Sequence, residues 1–470
     1  MTGAPLAARR LEEARAIARR LREAGHEALL CGGAVRDRLL GRTPMDVDVA
    51  TSARPEVGEQ LFPDAVTVGA KFGVLVIPRP AGPVEVATFR ADGCYVDGRR
   101  PDDVTFSDAP TDATRRDFTV NGLFEDPDTG AIHDYVGGRA DLDARILRAI
   151  GDAHARFEED HLRILRAARF SLQLGFALDP GTRAAVRDMA PRVAEVAAER
   201  VRDELVKILR HGRGRALRLL RDLGLLPVVL PEIDAMRDVP QPPRWHPEGD
   251  VFVHTALVLD GVRFPPRPAE AEDDPEVEAD ARRAEEVLLW AALLHDVAKP
   301  TTFRREPDGR IVFHGHDARG VEAAEGLLER LRLPRRTRER VASLIGQHMR
   351  IAATPHMRRA NLRRFLAEPD FDLHLRLHAA DCGASHGASE VLTFLLAARD
   401  ELAAEPAVPA PLLSGKDLLA LGHRPGPDLG RILAWVQDEQ LEGRLVDRDG
   451  AVRAVRDRYP VPNQEPPTDA

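Results

Sequence analysis

Apolar and polar residues recur with two different periods along this chain, and the places where the period changes divide it. Residues 6 to 24 set Leu, Ala and Ile at helical spacing among Arg and Glu, which predicts an amphipathic opening helix. From about residue 25 to 136, short apolar runs take over, namely Ala28 to Cys31, Val47 to Ala50, Val74 to Ile77 and Val84 to Thr88. Gly, Pro and Asp separate them, as they separate strands. Past residue 141 the strand-like runs largely stop, and long stretches of Ala, Leu, Arg and Glu predict helices through to residue 235. A Pro-rich break, Val239 to Pro247, precedes a second helical region. Its acidic interruption, Pro265 to Glu286, reads as a solvated excursion.

A smaller helical unit is expected from about 411 to 458, and Pro460 to Ala470 has the composition of a disordered end. No fixed-period repeat is present, which argues against a solenoid. The pattern predicts an α+β chain, with a mixed-sheet head over 1–140 and helical parts over 141–235, 236–400 and 401–470.

A length of 470 residues is enough for several domains. Cys31, Cys94 and Cys382 are too few and too scattered for a disulfide framework or a thiolate zinc cluster, so a reducing cytoplasm is the expected compartment. No uninterrupted apolar segment is long enough to cross a bilayer, and a soluble chain is expected. The net charge of -9 does not exclude RNA, because phosphate contacts are made one groove at a time. Lys71, Lys207, Lys299 and Lys416 are the only lysines. Nearly all positive charge is therefore guanidinium, which suits phosphate but is also a common compositional habit.

Candidate chemistry appears first between Leu29 and Ala50. A strand enters Gly32 and Gly33, whose missing side chains let backbone N–H groups approach an anion, and a helix from about Ala34 would point its positive end there. Asp46 and Asp48 follow. Two residues apart on a strand, they face one side about 7 Å along the chain, a spacing that lets them share divalent ions held roughly 4 Å apart. Glu85, on the later run Val84 to Thr88, either adds a third carboxylate to such a site or faces solvent.

The segment GGAVRDRLLGRTPMDVDVATSA resembles the first motif of the class II tRNA nucleotidyltransferase and bacterial poly(A) polymerase family, a branch of the DNA polymerase beta superfamily. The resemblance implies a nucleotidyltransferase head, magnesium at Asp46 and Asp48, and a nucleotide-binding role for Gly32, Gly33 and Arg36. RRDFTVNGL is similar to the second motif, which implies that Arg116, Asp117 and Asn121 hold the phosphates and ribose of the incoming nucleotide; Gly122 stands where the family usually has Ala. The stretch DGRRPDDVTF resembles a mobile loop linked in the family to adding the terminal A.

Within EEDHLRILRAARF, Asp160 and Arg163 are three apart in a strongly helical stretch and are expected to share a helix face. The stretch matches the family's EDxxR motif, which implies that this pair reads the Watson–Crick edges of CTP and ATP. Arg166 on the same face either contacts phosphate or is solvated.

The order His254, His295–Asp296, Asp381 is that of HD-domain metal sites, and imidazole with carboxylate suits divalent or transition metals. His316 and His348 are candidates to extend it, and FHGHD resembles the corresponding HD stretch with Asp317 for a frequent Glu. Together these features imply an enzyme that adds CCA, or its terminal A, to a tRNA 3′ end from ATP and CTP. Poly(A) tailing and an HD-type phosphohydrolase with an RNA-binding head are the alternatives.

Overall fold

The computed structural model describes residues 6–44, 46–68, 73–93, 104–264, 275–385, 387, 390–402 and 408–461. Two compact units emerge, Met1–Ala235 with Leu327–Leu333, and Met236–Gly326 with Pro334–Ala470.

The first unit opens with α1 (Leu6–Glu23), β1 (Ala28–Cys31), α2 (Gly33–Leu39), β2 (Asp48–Thr51) and α3 (Pro55–Leu61). There follow β3 (Val66–Val68), β4 (Val74–Ile77), β5 (Val84–Thr88), β6 (Arg90–Asp92), β7 (Val104–Phe106), α4 (Ala109–Thr114), β8 (Leu123–Glu125) and β9 (Ile132–Asp134). Seven of these strands form one mixed sheet in the order β3-β4-β5-β2-β1-β8-β9. Only β2 and β5 run parallel within it. The four apolar runs expected to be strands are β1, β2, β4 and β5, with β2 displaced one residue toward the C-terminus.

Side-chain alternation sorts the sheet into two faces. Ala28, Leu30 and Val49 pack on one side with Ala14, Ile17, Ala18 and Leu21 of α1. On the other side Leu29, Cys31 and Ala50 pack with Ala109 and Ala113 of α4 and with Phe89 and Phe124. Asp48, two residues before Ala50 and opposite Cys31 in the ladder, belongs to the α4 side. The DGRRPDDVTF stretch lies outside the described residues up to its last three, which form β7.

Helices then take over: α5 (Gly138–Ala144), α6 (Ala153–Glu159), α7 (Leu162–Leu174), α8 (Pro180–Met189), α9 (Ala198–Gly212), α10 (Gly214–Asp222), α11 (Leu226–Val229) and α12 (Pro231–Asp234). Helix α7 packs along α9, and the buried Arg169 Nε donates to Glu204 at 2.5 Å between them. The expected continuous helix through Asp160 is broken. Asp160 is extended, with φ -146 and ψ 104, and ends α6, and α7 resumes at Leu162. Its carboxylate accepts the Leu162 N–H at 3.1 Å, a local side-chain bond that competes with helix propagation. Asp160 and Arg163 therefore do not share one helix, and although Arg163 N–H donates to Asp160 O at 2.9 Å their side chains take other partners.

The second unit contains α13 (Val251–Gly261), α14 (Pro275–Leu294), α15 (Lys299–Thr302), α16 (His316–Arg330) up to Gly326, α17 (Arg335–Gln347) and α18 (Arg359–Leu366). It continues with α19 (Phe371–Ala384), α20 (Glu390–Leu402), α21 (Gly415–Ala420), α22 (Pro427–Leu441) and α23 (Arg448–Arg458). The acidic stretch expected to be an excursion is, from Pro275 onward, the first half of α14; its residues 265–274 lie outside the described ones. Two features explain the helix. Glu276 and Glu278 favour its first turn, and Val287 to Leu294 are wholly buried in its second half. Leu413, Leu418, Ile432, Val436, Ala451 and Val455 give the last three helices a small core of their own. Of the stretch Pro460 to Ala470, read from the sequence as a disordered end, residues 462–470 lie outside the described residues. Among the described residues no helix is long and apolar enough to cross a membrane.

Candidate active site and metal centre

Strand β1 ends by turning through Gly32, whose φ of +71 suits a residue without a side chain; a carbon added there would lie 3.1 Å from the Arg116 guanidinium. The turn opens a cleft of about 670 Å³. Gly32, Gly33, Arg36, Asp46, Asp48, Arg116, Asp117 and Asn121 line it from the head, and Asp160, Arg163 and Arg166 line it from the start of α7. Gly32 N–H is already spent on Leu123 O at 3.2 Å, so an anion would meet the first-turn N–H groups of α2 instead.

Asp46 precedes β2, Val47 is buried, and Asp48 begins the strand, so the period of two still sends both carboxylates to the cleft. Glu85 stands beside Asp48 by the parallel register of Val49 with Val86, on the same sheet face, but it is exposed and does not line the cleft. Burial first, then the negative charges of Glu85 and Asp46, push the Asp48 carboxyl up to about 6 against the pull of Arg116. Carboxylates that crowd one another in this way fit a cation, and their all-oxygen donors fit a hard divalent one.

Behind the carboxylates the groups expected to hold a nucleotide are tied to one another. Buried Arg36 donates to Asn121 Oδ1 at 2.5 Å, and Arg116 donates twice to Asp112, at 3.0 and 3.2 Å. Asp117 accepts from Phe118 N–H, from Asn121 Nδ2 and from both Nε and Nη2 of Arg166, at 2.6 to 2.9 Å. Burial opposes its ionisation, yet Arg166 and Asn121 overcome this and hold the carboxyl at about 2. With its acceptor positions filled, Asp117 fastens α7 to the head. Gly122 has a steric explanation as well: a methyl there would come 2.7 Å from Val136 Cγ2, whose side chain occupies that volume.

At the start of α7 Arg163 donates to Arg156 O and Arg115 O, both at 3.0 Å, and pairs with Glu159. Asp160 is gripped by Arg200 of α9, Nη1 to Oδ1 at 3.1 Å and Nη2 to Oδ2 at 2.8 Å. Sequence reasoning missed Arg200. Forty positions from Asp160 and on another helix, it carries no spacing signal.

The second unit gathers all four residues expected there. His254 Nε2 lies 3.1 Å from Asp381 Oδ1 and 3.3 Å from His295 Nε2, and Asp296 Oδ2 lies 3.3 Å from His295 Nε2. His316 and His348 join them, their Nε2 atoms 3.2 Å apart. Two adjoining sets, His254–His295–Asp381 and Asp296–His316–His348, each bring their ligand atoms within 4.8 Å of one another; the head carboxylates form no set this tight among the described residues. The mixed nitrogen and oxygen donors fit a divalent or transition-metal ion. Burial opposes protonation of His254, but Asp381 and Glu248 raise it to about 9, while burial pushes His348 down to about 4. Unforeseen from sequence were Glu248, whose Oε1 lies 2.6 Å from His254 Nδ1, and Lys299, whose ammonium meets Asp296 at 2.6 Å and Gln241 at 2.7 Å. A cleft of about 470 Å³ opens over this cluster.

Comparison with known proteins matches three stretches of the chain. Residues 28–148 match the poly A polymerase head domain, 175–237 the probable RNA and SrmB-binding site of polymerase A, and 269–381 the HD domain. A CCA-adding enzyme of Geobacillus stearothermophilus is 45% identical over 46% of this chain, and the match spans 53% of that enzyme, about half its length. The solved Bacillus stearothermophilus CCA-adding enzyme in complex with CTP superposes with a TM-score of 0.69 at 27% identity, covering 95% of this chain and 98% of that one. An A-adding tRNA nucleotidyltransferase of Deinococcus radiodurans is 36% identical over 89% of this chain and 92% of its own length. That likeness along nearly the whole of both sequences, over a head built around the Gly32 turn, places the chain in the tRNA nucleotidyltransferase family.

Proposed function

We propose that this protein extends the 3′ end of tRNA, completing CCA or its terminal A from CTP and ATP without a nucleic-acid template. One observation carries the reading: a single cleft joins the Asp46–Asp48 pair to the Asp160–Arg163 wall, so triphosphate chemistry and base selection face the same bound nucleotide. Asp46 and Asp48, with Glu85 beside them, would hold magnesium, which when bound neutralises phosphate charge and activates the attacking hydroxyl.

The protein groups do the rest by positioning. The first turn of α2, Arg36 and Arg116 would present N–H donors to phosphate oxygens, and Asn121 would meet the sugar. Arg166 holds Asp117 and thereby the wall that carries Arg163. Asp160 offers acceptors and Arg163 donors, a pattern that stands in for a complementary base. Orientation of the 3′ hydroxyl against the α-phosphate supplies most of the acceleration in such a transfer.

Incubation with magnesium, CTP, ATP and tRNAs lacking either the whole CCA end or only its last A tests the proposal. Extension that stops at CCA is expected, or extension of the second substrate alone if the protein adds only A. Long A tails, or no extension, would sink it.

We also propose a separate hydrolytic centre at His254, His295, Asp296 and Asp381, supported by the two tight ligand sets and by the HD-domain match. Its expected substrates are terminal or 2′,3′-cyclic phosphates. Phosphoester hydrolysis that needs an added divalent ion and stops on chelation is the expected result, and absence of turnover with every such ion overturns it.

A further inference from the structure

Arg200 has no role in the reading above, yet it makes the closest side-chain contact to the acceptor half of the base-facing wall. Its two parallel bonds to Asp160 fix the plane of that carboxylate, a fork geometry that guanidinium supplies and ammonium does not. Oδ1 receives both Leu162 N–H and Arg200, so its acceptor positions are filled. Oδ2 receives Arg200 alone and keeps an acceptor position beside that bond. Arg163 is fixed in the same manner by Glu159 and two main-chain carbonyls. Each of the two groups thus has its own anchor, and Asp160, Arg163 and Arg200 all border the cleft.

Cytosine and adenine both present an amino group on the edge where uracil and guanine present a carbonyl. An ionised carboxylate held by a guanidinium can only accept, so it bonds the amine and meets the carbonyl lone pair to lone pair. A carboxylate free to rotate, or to pick up a proton, loses that distinction.

We infer that Arg200 is a positioning residue for nucleotide selection: by clamping Asp160 as a fixed acceptor it sets the preference for nucleotides carrying an amino group over those carrying a carbonyl. The inference rests on the tRNA-extending function proposed above and specifies how its wall is held. Arg200 itself touches the carboxylate and acts through it.

The test uses the full chain, magnesium and tRNA lacking its end, with single-turnover kcat and KM measured for CTP, ATP, UTP and GTP. In Arg200→Gln the preference for CTP and ATP over UTP and GTP is expected to fall by about tenfold or more, the scale of one oriented hydrogen bond to a charged group. Arg200→Lys, which keeps the charge but not the fork, is expected to fall in between, and it carries the test if Arg200→Gln does not fold. A thermal melt beside each assay separates loss of selectivity from loss of structure, since a purely structural role would lower all four rates together. Unchanged selectivity in the folded variants overturns the inference while leaving tRNA extension intact. A wild-type chain that adds no nucleotide would instead defeat the underlying function.

Discussion

Replacing Asp48 with asparagine is expected to lower kcat for nucleotide addition on the order of 10³-fold, the scale on which one preorganised charge at a developing transition state is felt. The change is nearly isosteric, so folding should survive. The loss should appear in kcat more than in KM for the nucleotide, because Arg36, Arg116 and the first turn of α2 are untouched. A variant that kept its rate within about tenfold would remove the carboxylate pair from the chemistry.

The same residue predicts a pH dependence. With its carboxyl pushed up to about 6, protons compete with a cation for Asp48. Addition at fixed magnesium should therefore weaken as pH falls through about 6, and more magnesium should move the midpoint to lower pH. For stability the sign is opposite in the ion-free protein. A raised carboxyl value means that the folded state keeps its proton longer than the unfolded one. Stability from this group is present in acid and lost as pH rises from the ordinary carboxylate range through about 6.

The largest expected effect on stability lies in the second unit. Asp296 and Lys299 are buried, at 2% and 6% exposure, and joined at 2.6 Å. Asp296→Ala strands the ammonium in the interior with only neutral neighbours such as Gln241 and the Phe313 ring, and is expected to cost about 3 kcal/mol or more. Asp296 is also a candidate metal ligand, so urea unfolding should be followed in excess chelator, where the difference carries no contribution from a bound ion. Lys299→Met in the same chain should recover a substantial part of the loss, because replacing both charges removes the stranded one. A single variant costing less than about 1 kcal/mol would show that the ammonium finds water. Burial opposes ionisation of Asp296, but Lys299 and His295 hold its carboxyl well below the usual range, so this stabilisation is present above the unfolded value and is lost only in acid.

The sheet was legible because Val, Leu and Ala runs bounded by Gly and Pro have few other ways to fold, and β1, β4 and β5 begin and end where those runs do. The carboxylate pair was legible for a related reason: Val47 between Asp46 and Asp48 declares which side is buried. An apolar helix running into His295–Asp296 likewise advertised the second centre. The break at Asp160 was hidden, since no Gly or Pro marks it and helical spacing runs straight through; a side-chain bond to Leu162 N–H and a clamp from α9 make it. Acidic composition hid the start of α14, whose support comes from a buried second half. Arg200, Glu248 and Lys299 act through distances in space that no local pattern encodes.

Arg163 and Arg166 stand about one turn apart on α7, and the second of them is fastened to Asp117 of the head. The wall proposed to select the nucleotide is thereby tied to the head, like the fixed jaw of a caliper set at one span from the proposed phosphate end. A larger purine in place of a smaller pyrimidine cannot be admitted by sliding that jaw, and whatever senses base size must come from the facing side or from the RNA terminus itself.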